Sequence, residues 1–145
     1  MLYIDTSVLL VYTLTQDVET ERVPATMAFF NQIAAGTLLG ATSFYALQEV
    51  HIFAINNAPD FATGAAFGKA ALEKILTLPL LLVPLLSRAE RKQHVSKFNA
   101  LRDSSDVPHA IAASAHGCEA IVAYDEHFRA VSHIIPYKTP EDFLE

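Results

Sequence analysis

Residues 103–128 read Asp-Ser-Ser-Asp-Val-Pro-His-Ala-Ile-Ala-Ala-Ser-Ala-His-Gly-Cys-Glu-Ala-Ile-Val-Ala-Tyr-Asp-Glu-His-Phe, and this stretch decides the fold. Ser104 or Ser105 can cap a helix that has Asp106 in its first turn, where a carboxylate interacts favourably with the helix dipole. The residues that follow are mostly alanine, and Gly117 ends the helix. The pattern therefore predicts a thin helix that can pack closely on a sheet.

A buried strand is predicted directly after this helix. The run 120–124 is apolar and short, as in a strand that is covered on both faces. Asp125 follows it, and open α/β sheets place their functional sites at the carboxyl ends of their strands. One helix–strand unit is thus expected to bring Asp106 and Asp125 to the same edge of a sheet.

The rest of the chain alternates short apolar runs with helical patterns. Further strands are predicted at residues 2–5, 38–42, 80–86 and 132–136. Further helices are predicted from a cap at Thr6 or Ser7 to Tyr12, at 25–35, at 44–57, within 58–78 and at 88–102. This alternation predicts an α/β fold with three α/β/α layers and a central, mainly parallel sheet.

Length and composition indicate one globular domain spanning residues 1–145, with 52% apolar and 18% charged residues. The single cysteine, Cys118, fits a reducing cytoplasm, and no signal peptide or membrane partner is expected. A net charge of −6 argues against a broad nucleic-acid-binding surface. It does not exclude a nuclease, because metal-binding carboxylates themselves add negative charge.

Two more acids stand at informative positions. Asp5 ends the first predicted strand. Glu49 lies in a helix that is otherwise nearly all apolar, and it falls off the polar stripe formed by Gln48 and His51. A lone acid beside an apolar face is costly unless it is paired, hydrated or bound to a cation.

Carboxylates from several elements at one sheet edge suit a hard divalent cation such as Mg²⁺ or Mn²⁺. Such a cation can activate water and stabilise charge on a phosphodiester. The four acids that make up this predicted site are Asp5, Glu49, Asp106 and Asp125.

At these residues the sequence resembles the PIN-domain family, and in particular its VapC-type toxins. The matching pieces are Tyr3-Ile-Asp5-Thr6-Ser7-Val-Leu-Leu, the helical Glu49, Asp106-Val-Pro-His-Ala-Ile-Ala-Ala-Ser-Ala and Ile121-Val-Ala-Tyr-Asp125-Glu-His-Phe128. Together they cover nearly the whole chain in family order and at family-like spacing.

The resemblance implies a metal-dependent endoribonuclease that hydrolyses RNA, with Mg²⁺ or Mn²⁺ as cofactor. It also implies the toxin of a toxin–antitoxin pair, a homodimer and a small antitoxin partner. By motif position, Asp5, Glu49, Asp106 and Asp125 are the expected catalytic and metal-site acids. Thr6 is the expected hydroxyl after the first acid, and Asp103 is a rival to Asp106 one helical turn earlier.

Some features leave alternatives open. The family often has Thr or Ser where this chain has Ala123, so a PIN-fold binding module without activity is a second hypothesis. A receiver-like signalling domain is a third, although Asp5 stands alone and the run 80–86 carries no acid. His109 could reach the site, but an ordinary partly buried histidine is the simpler interpretation. One basic cluster could face RNA, or could be a solvated helix face: Arg88, Arg91, Lys92, Lys97 and Arg102.

Overall fold

A computed structural model describes residues 1–144 and contains one parallel sheet. Its strands are β1 (Leu2–Ile4), β2 (Gly40–Ser43), β3 (Leu81–Val83), β4 (Ala120–Val122) and β5 (Tyr137–Lys138). The spatial order is β3-β2-β1-β4-β5, and every neighbouring pair is parallel. The predicted three-layer α/β/α architecture with a central parallel sheet is confirmed.

Six α-helices connect the strands within residues 1–144. They are α1 (Thr6–Thr13), α2 (Val23–Ala34), α3 (Phe44–Asn56), α4 (Phe61–Leu76), α5 (Arg88–His94) and α6 (Asp106–Ala115). Among residues 1–144, no helix is long and apolar enough to cross a membrane.

The side-chain alternation of β1 separates two hydrophobic cores, one on each face of the sheet. Leu2 and Ile4 point into a core that is completed by α1, α2, α3 and α4. Tyr3 points to the opposite face, where α6 and the segment before it pack. Residues alternate between faces along any strand, so a three-residue strand suffices to anchor both layers.

The direction in which the chain crosses the sheet reverses at β1, because β2 lies on one side of it and β4 on the other. Such a switch point leaves a crevice at the carboxyl ends of the strands. Receiver domains have the order 2-1-3-4-5 instead, so the receiver-like hypothesis does not fit this topology.

The last strand was predicted in the wrong place. Residues 132–136 form turns, in which the amide of Ile135 donates to the carbonyl of Val131 at 3.1 Å. The carbonyl of Pro136 accepts from the amide of Ile121, and β5 begins at the next residue. The apolar residue Ile135 is buried by this turn and not by a strand.

Helix boundaries also differ from the predicted ones. The helix predicted at 88–102 ends as α5 at His94 and continues as a 3-10 turn over Val95–Phe98. At α1 the capping side chain is that of Asp5, and not of Thr6 or Ser7. Neither Ser104 nor Ser105 caps α6, since Ser105 donates to Asp103 instead.

Candidate metal-binding site

Asp5 is fixed by the first residues of α1. It is 5% exposed, and its Oδ2 accepts hydrogen bonds from the amide of Ser7 at 3.1 Å and from the Ser7 hydroxyl at 2.6 Å. The same Ser7 hydroxyl accepts from the amide of Tyr124, just after β4, at 2.9 Å. Ser7 therefore connects the carboxyl ends of the two central strands, and it does so next to Ala123.

Asp106 and Asp125 share a histidine. Nδ1 of His127 lies 3.3 Å from Oδ2 of Asp106 and 3.2 Å from Oδ1 of Asp125. Asp103 joins the same group, because ligand atoms of Asp103, Asp106 and His127 all lie within 4.8 Å of one another. In contrast to the buried Asp106, the His127 side chain is 64% exposed.

Glu49 meets a second histidine, across the crevice from α3 to α6. Its Oε1 lies 2.5 Å from Nε2 of His109. Nδ1 of that ring lies 2.7 Å from the hydroxyl of Tyr3 and 3.8 Å from Oδ1 of Asp5. His109 is only 1% exposed, so it is a fully buried member of the site and not a partly buried surface residue.

Burial and the proximity of like charges set the electrostatics of the site. Burial, together with the charges of Asp125, Asp103 and Asp5, raises the pKa of Asp106 to about 6, and the contact with His127 only partly opposes this. Burial also raises the pKa of Asp5, although His109 and Ser7 counteract it. Both carboxylates are thus harder to ionise than in water.

The pKa of His109 follows from two opposing effects. Burial disfavours the charged ring and acts to lower the pKa. The hydrogen bond to Glu49 and the negative charges of Asp5, Glu49 and Asp106 outweigh burial, so the pKa is raised above its usual value.

The donor set fits a hard divalent cation. Oxygen atoms of carboxylates are the ligands that Mg²⁺ and Mn²⁺ prefer. The pKa of Asp106 is raised by burial first and by the neighbouring negative charges second, and a bound cation would offset both effects. His127 adds an imidazole nitrogen, which suits Mn²⁺ better than Mg²⁺.

The structure thus gives each predicted site residue a location, and it adds three that sequence reasoning did not assign. Ser7, not Thr6, binds Asp5; the Thr6 hydroxyl is buried without a hydrogen bond in the described chain. His109 was expected to be an ordinary partly buried histidine, although its position three residues after Asp106 allowed it to reach the site. His127 could have been noticed from its position two residues after Asp125.

One residue of the predicted basic cluster lies near the site. Arg91 of α5 donates to the hydroxyl of Tyr45 at 2.8 Å. The Tyr45 ring stands edge-on to that of His109, with 6.4 Å between the ring centroids. The positively charged guanidinium of Arg91 is therefore connected, through Tyr45, to the buried part of the acidic crevice.

Comparison with known proteins gives matches at the level of structure alone. No protein-family model and no curated protein sequence matches the chain. A crystal structure of Mycobacterium tuberculosis VapC20, a toxin that cleaves the sarcin–ricin loop, matches with a TM-score of 0.67 and 15% identity. The match covers 90% of this chain and 94% of that one.

A second solved structure gives a similar result. VapBC2 from Rickettsia felis, bound to a DNA fragment from its promoter, matches with a TM-score of 0.66 and 13% identity. The match covers 96% of this chain and 98% of the other. The resemblance predicted from the sequence is confirmed for the fold: the chain has the PIN-domain fold of VapC-type toxins.

Proposed function

We propose that this protein is an endoribonuclease that requires Mg²⁺ or Mn²⁺ and serves as the toxin of a toxin–antitoxin pair. The observation that carries the proposal is the grouping of four acids around two histidines at the switch point of the sheet. The proposed catalytic and metal-binding residues are Asp5, Glu49, Asp106 and Asp125.

The protein's own residues have separable tasks in this proposal. Ser7 holds Asp5 after β1, His127 lies between Asp106 at the start of α6 and Asp125 after β4, and His109 holds Glu49. Asp5 and Asp106 are removed from water, so their interaction with a cation is only weakly screened. The cation, when bound, would activate water and neutralise charge on the phosphate.

RNA would approach along the side of α5 in this proposal. Arg91 is a basic residue with a contact chain to the site, through Tyr45. Its guanidinium can pair with a backbone phosphate while the scissile phosphate lies over the acids. One local cation compensates for the net charge of −6 without requiring a broad basic surface.

Protein partners are also part of the proposal. The VapBC2 structure, which contains a chain of the same fold, was solved with a DNA fragment from the promoter, and a small antitoxin is proposed for this chain by likeness. The acidic net charge suits a basic partner.

A homodimer is proposed from an apolar surface. Exposed apolar side chains at Phe44, Leu76 and Leu85 line one groove, and a second copy of the chain would cover them. A cytoplasmic location is proposed from the single cysteine.

The test is RNA cleavage by the purified protein with Mn²⁺, Mg²⁺ or EDTA. Asp5→Asn and Asp106→Asn are compared with Glu73→Gln, which removes an exposed carboxylate on α4. We expect cleavage that requires metal and falls at least about 100-fold in the first two variants only, since outer and inner metal partners have effects of this order.

Two results would count against the proposal. Cleavage in EDTA, or undiminished cleavage by folded Asp5→Asn, would contradict a metal-dependent site. Mn²⁺ binding without cleavage of any RNA tested would favour the binding-module hypothesis. Ala123 motivates that hypothesis, and the nearby Ser7 hydroxyl contacts the Tyr124 amide and Asp5.

A further inference from the structure

We infer that His109 is a positioning residue, whose ring holds the Glu49 carboxylate in place for a cation shared with Asp5. This inference rests on the proposed function, because it assigns a role within the same metal site. It is carried by a continuous chain of hydrogen bonds that begins and ends on α3.

The chain of contacts runs through four elements. The Ser43 hydroxyl caps α3 by accepting from the amide of Ala46 at 3.2 Å, and it lies 2.6 Å from the Tyr3 hydroxyl. The Tyr3 hydroxyl lies 2.7 Å from Nδ1 of His109, whose Nε2 meets Glu49. The contacts therefore pass from α3 through the end of β2 to β1, on to α6 and back to α3.

The direction of the last hydrogen bond is fixed by chemistry. A carboxylate can only accept, so Nε2 of His109 must carry the hydrogen that Glu49 Oε1 receives. Both the neutral ring protonated at Nε2 and the imidazolium meet this requirement. The Tyr3 hydroxyl can donate or accept, so it supports either form.

Glu49 needs such an anchor more than the other acids do. Its side chain is 41% exposed and carries more rotatable bonds than an aspartate, so in isolation it would sample several rotamers. The bond to His109 holds Oε1 and leaves Oε2 without a hydrogen bond in the described chain. Asp5 has the same arrangement, with Oδ2 held by Ser7 and Oδ1 facing His109 at 3.8 Å.

The arrangement matches the general way in which outer partners orient metal ligands. Loss of an outer hydrogen-bond partner typically weakens metal binding or activity by about 10–100-fold. A purely structural histidine would affect folding stability instead, and replacing it with a packing residue of similar size would leave metal affinity unchanged.

The matched variants are His109→Leu and His109→Gln. Leucine fills a similar volume and has no donor, whereas the amide nitrogen of glutamine can reach the position of Nε2. Mn²⁺ affinity is measured by electron paramagnetic resonance of the free ion, with circular dichroism as the control for folding. We expect the leucine variant to bind Mn²⁺ about 10–100-fold more weakly and the glutamine variant to recover most of that loss.

A spectroscopic readout tests the contact without metal. The ring nitrogens of His109 are observed by ¹⁵N NMR in EDTA, in the parent protein and in Glu49→Gln. We expect a protonated Nε2 in the parent and a shifted Nε2 resonance in the variant. An unprotonated Nε2, or no shift, would overturn the inference.

The outcomes separate the two proposals. Parent-like Mn²⁺ affinity in His109→Leu, or equal weakening in both His109 variants, overturns the positioning role even if the parent cleaves RNA. Parent protein that binds Mn²⁺ but cleaves no RNA, with the expected variant pattern, overturns the activity and leaves the positioning role standing. Parent protein that binds no Mn²⁺ overturns both.

Discussion

The two halves of the site use the same chemistry in different surroundings. In one half, His109 lies between Asp5 and Glu49; in the other, His127 lies between Asp106 and Asp125. The His109 side chain is 1% exposed and that of His127 is 64% exposed. The buried half is cross-linked to β1 and α3, while His127 contacts only acids close to its own end of the sheet.

Burial, and not the number of contacts, determines how much each histidine contributes to the free energy of unfolding. Interactions among solvent-exposed charges are screened and contribute little to stability. A buried hydrogen-bonded network costs more to break, because the groups left behind have no water to bind. The two halves should therefore respond differently to substitution, and four measurements test this difference.

The largest expected effect concerns Asp106, which belongs to the exposed half but is itself buried. Its pKa is about 6 in the folded protein and near 4 in an unfolded chain. Between these values the folded state keeps a proton that the unfolded state releases, so stability falls as the pH rises through this window. In EDTA at pH 7.5, Asp106→Asn should raise the free energy of unfolding by roughly 2–3 kcal/mol.

The measurement is urea unfolding of Asp106→Asn and the parent from pH 4 to pH 8, with Glu73→Gln as a control for removing an exposed charge. The advantage should shrink below pH 6 and vanish near pH 4. A constant difference across this range would show that ionisation of Asp106 is not its cause.

The next effect compares the two histidines directly. His109→Leu removes a buried donor to Glu49 and the ring beside Asp5, so we expect a loss of about 2 kcal/mol. His127→Leu alters an exposed ring and should change stability by no more than about 0.5 kcal/mol. Denaturant unfolding in EDTA at pH 7 gives both values, and equal losses would break the contrast.

Ser7 and Thr6 provide a contrast between neighbours. Ser7→Ala removes the donor to Asp5 and the acceptor for the amide of Tyr124, so it should cost about 1–2 kcal/mol. Thr6→Val replaces a buried hydroxyl that has no partner in the described chain, so it should be neutral or slightly stabilising. Thermal unfolding of the two variants compares them, and a greater loss in Thr6→Val would contradict the assigned contacts.

The smallest effect on the fold concerns Arg91. Arg91→Gln should leave stability within about 0.5 kcal/mol of the parent, because its contact with Tyr45 is at the surface. It should weaken RNA binding and reduce the slope of log affinity against log salt by about 1. Filter binding at several salt concentrations measures this, with Lys69→Gln on α4 as control; an unchanged slope would exclude Arg91 from the RNA path.

Much of the fold could be predicted, because it follows from local patterns of the sequence. Apolar runs that are covered on both faces identify β1 and β4, and Gly117 ends α6 with a positive φ of 65°. The last strand could not be predicted, because Ile134 and Ile135 have the composition of a strand. Only the contacts of the turn show that Ile135 is buried without one.

The candidate site was predictable in its acids and not in its partners. Asp5 and Asp125 follow strands, and that position alone sends them to the carboxyl edge of the sheet. His109 stands one turn after Asp106, and this spacing is the same whether its ring meets apolar side chains or a carboxylate. The ring meets a carboxylate because Glu49, which is 60 residues away in sequence, packs against it.

The sequence alone is enough to predict the alternation of strands and helices, the parallel sheet and the edge of the sheet at which the acids lie. These follow from periodicity, caps and strand ends, which are properties of neighbouring residues. Only the tertiary structure decided which acid each histidine joins, which hydroxyl binds Asp5 and where β5 begins. Such pairings depend on how α3, α6 and β1 pack together, and no local pattern encodes the distance between residues on different elements.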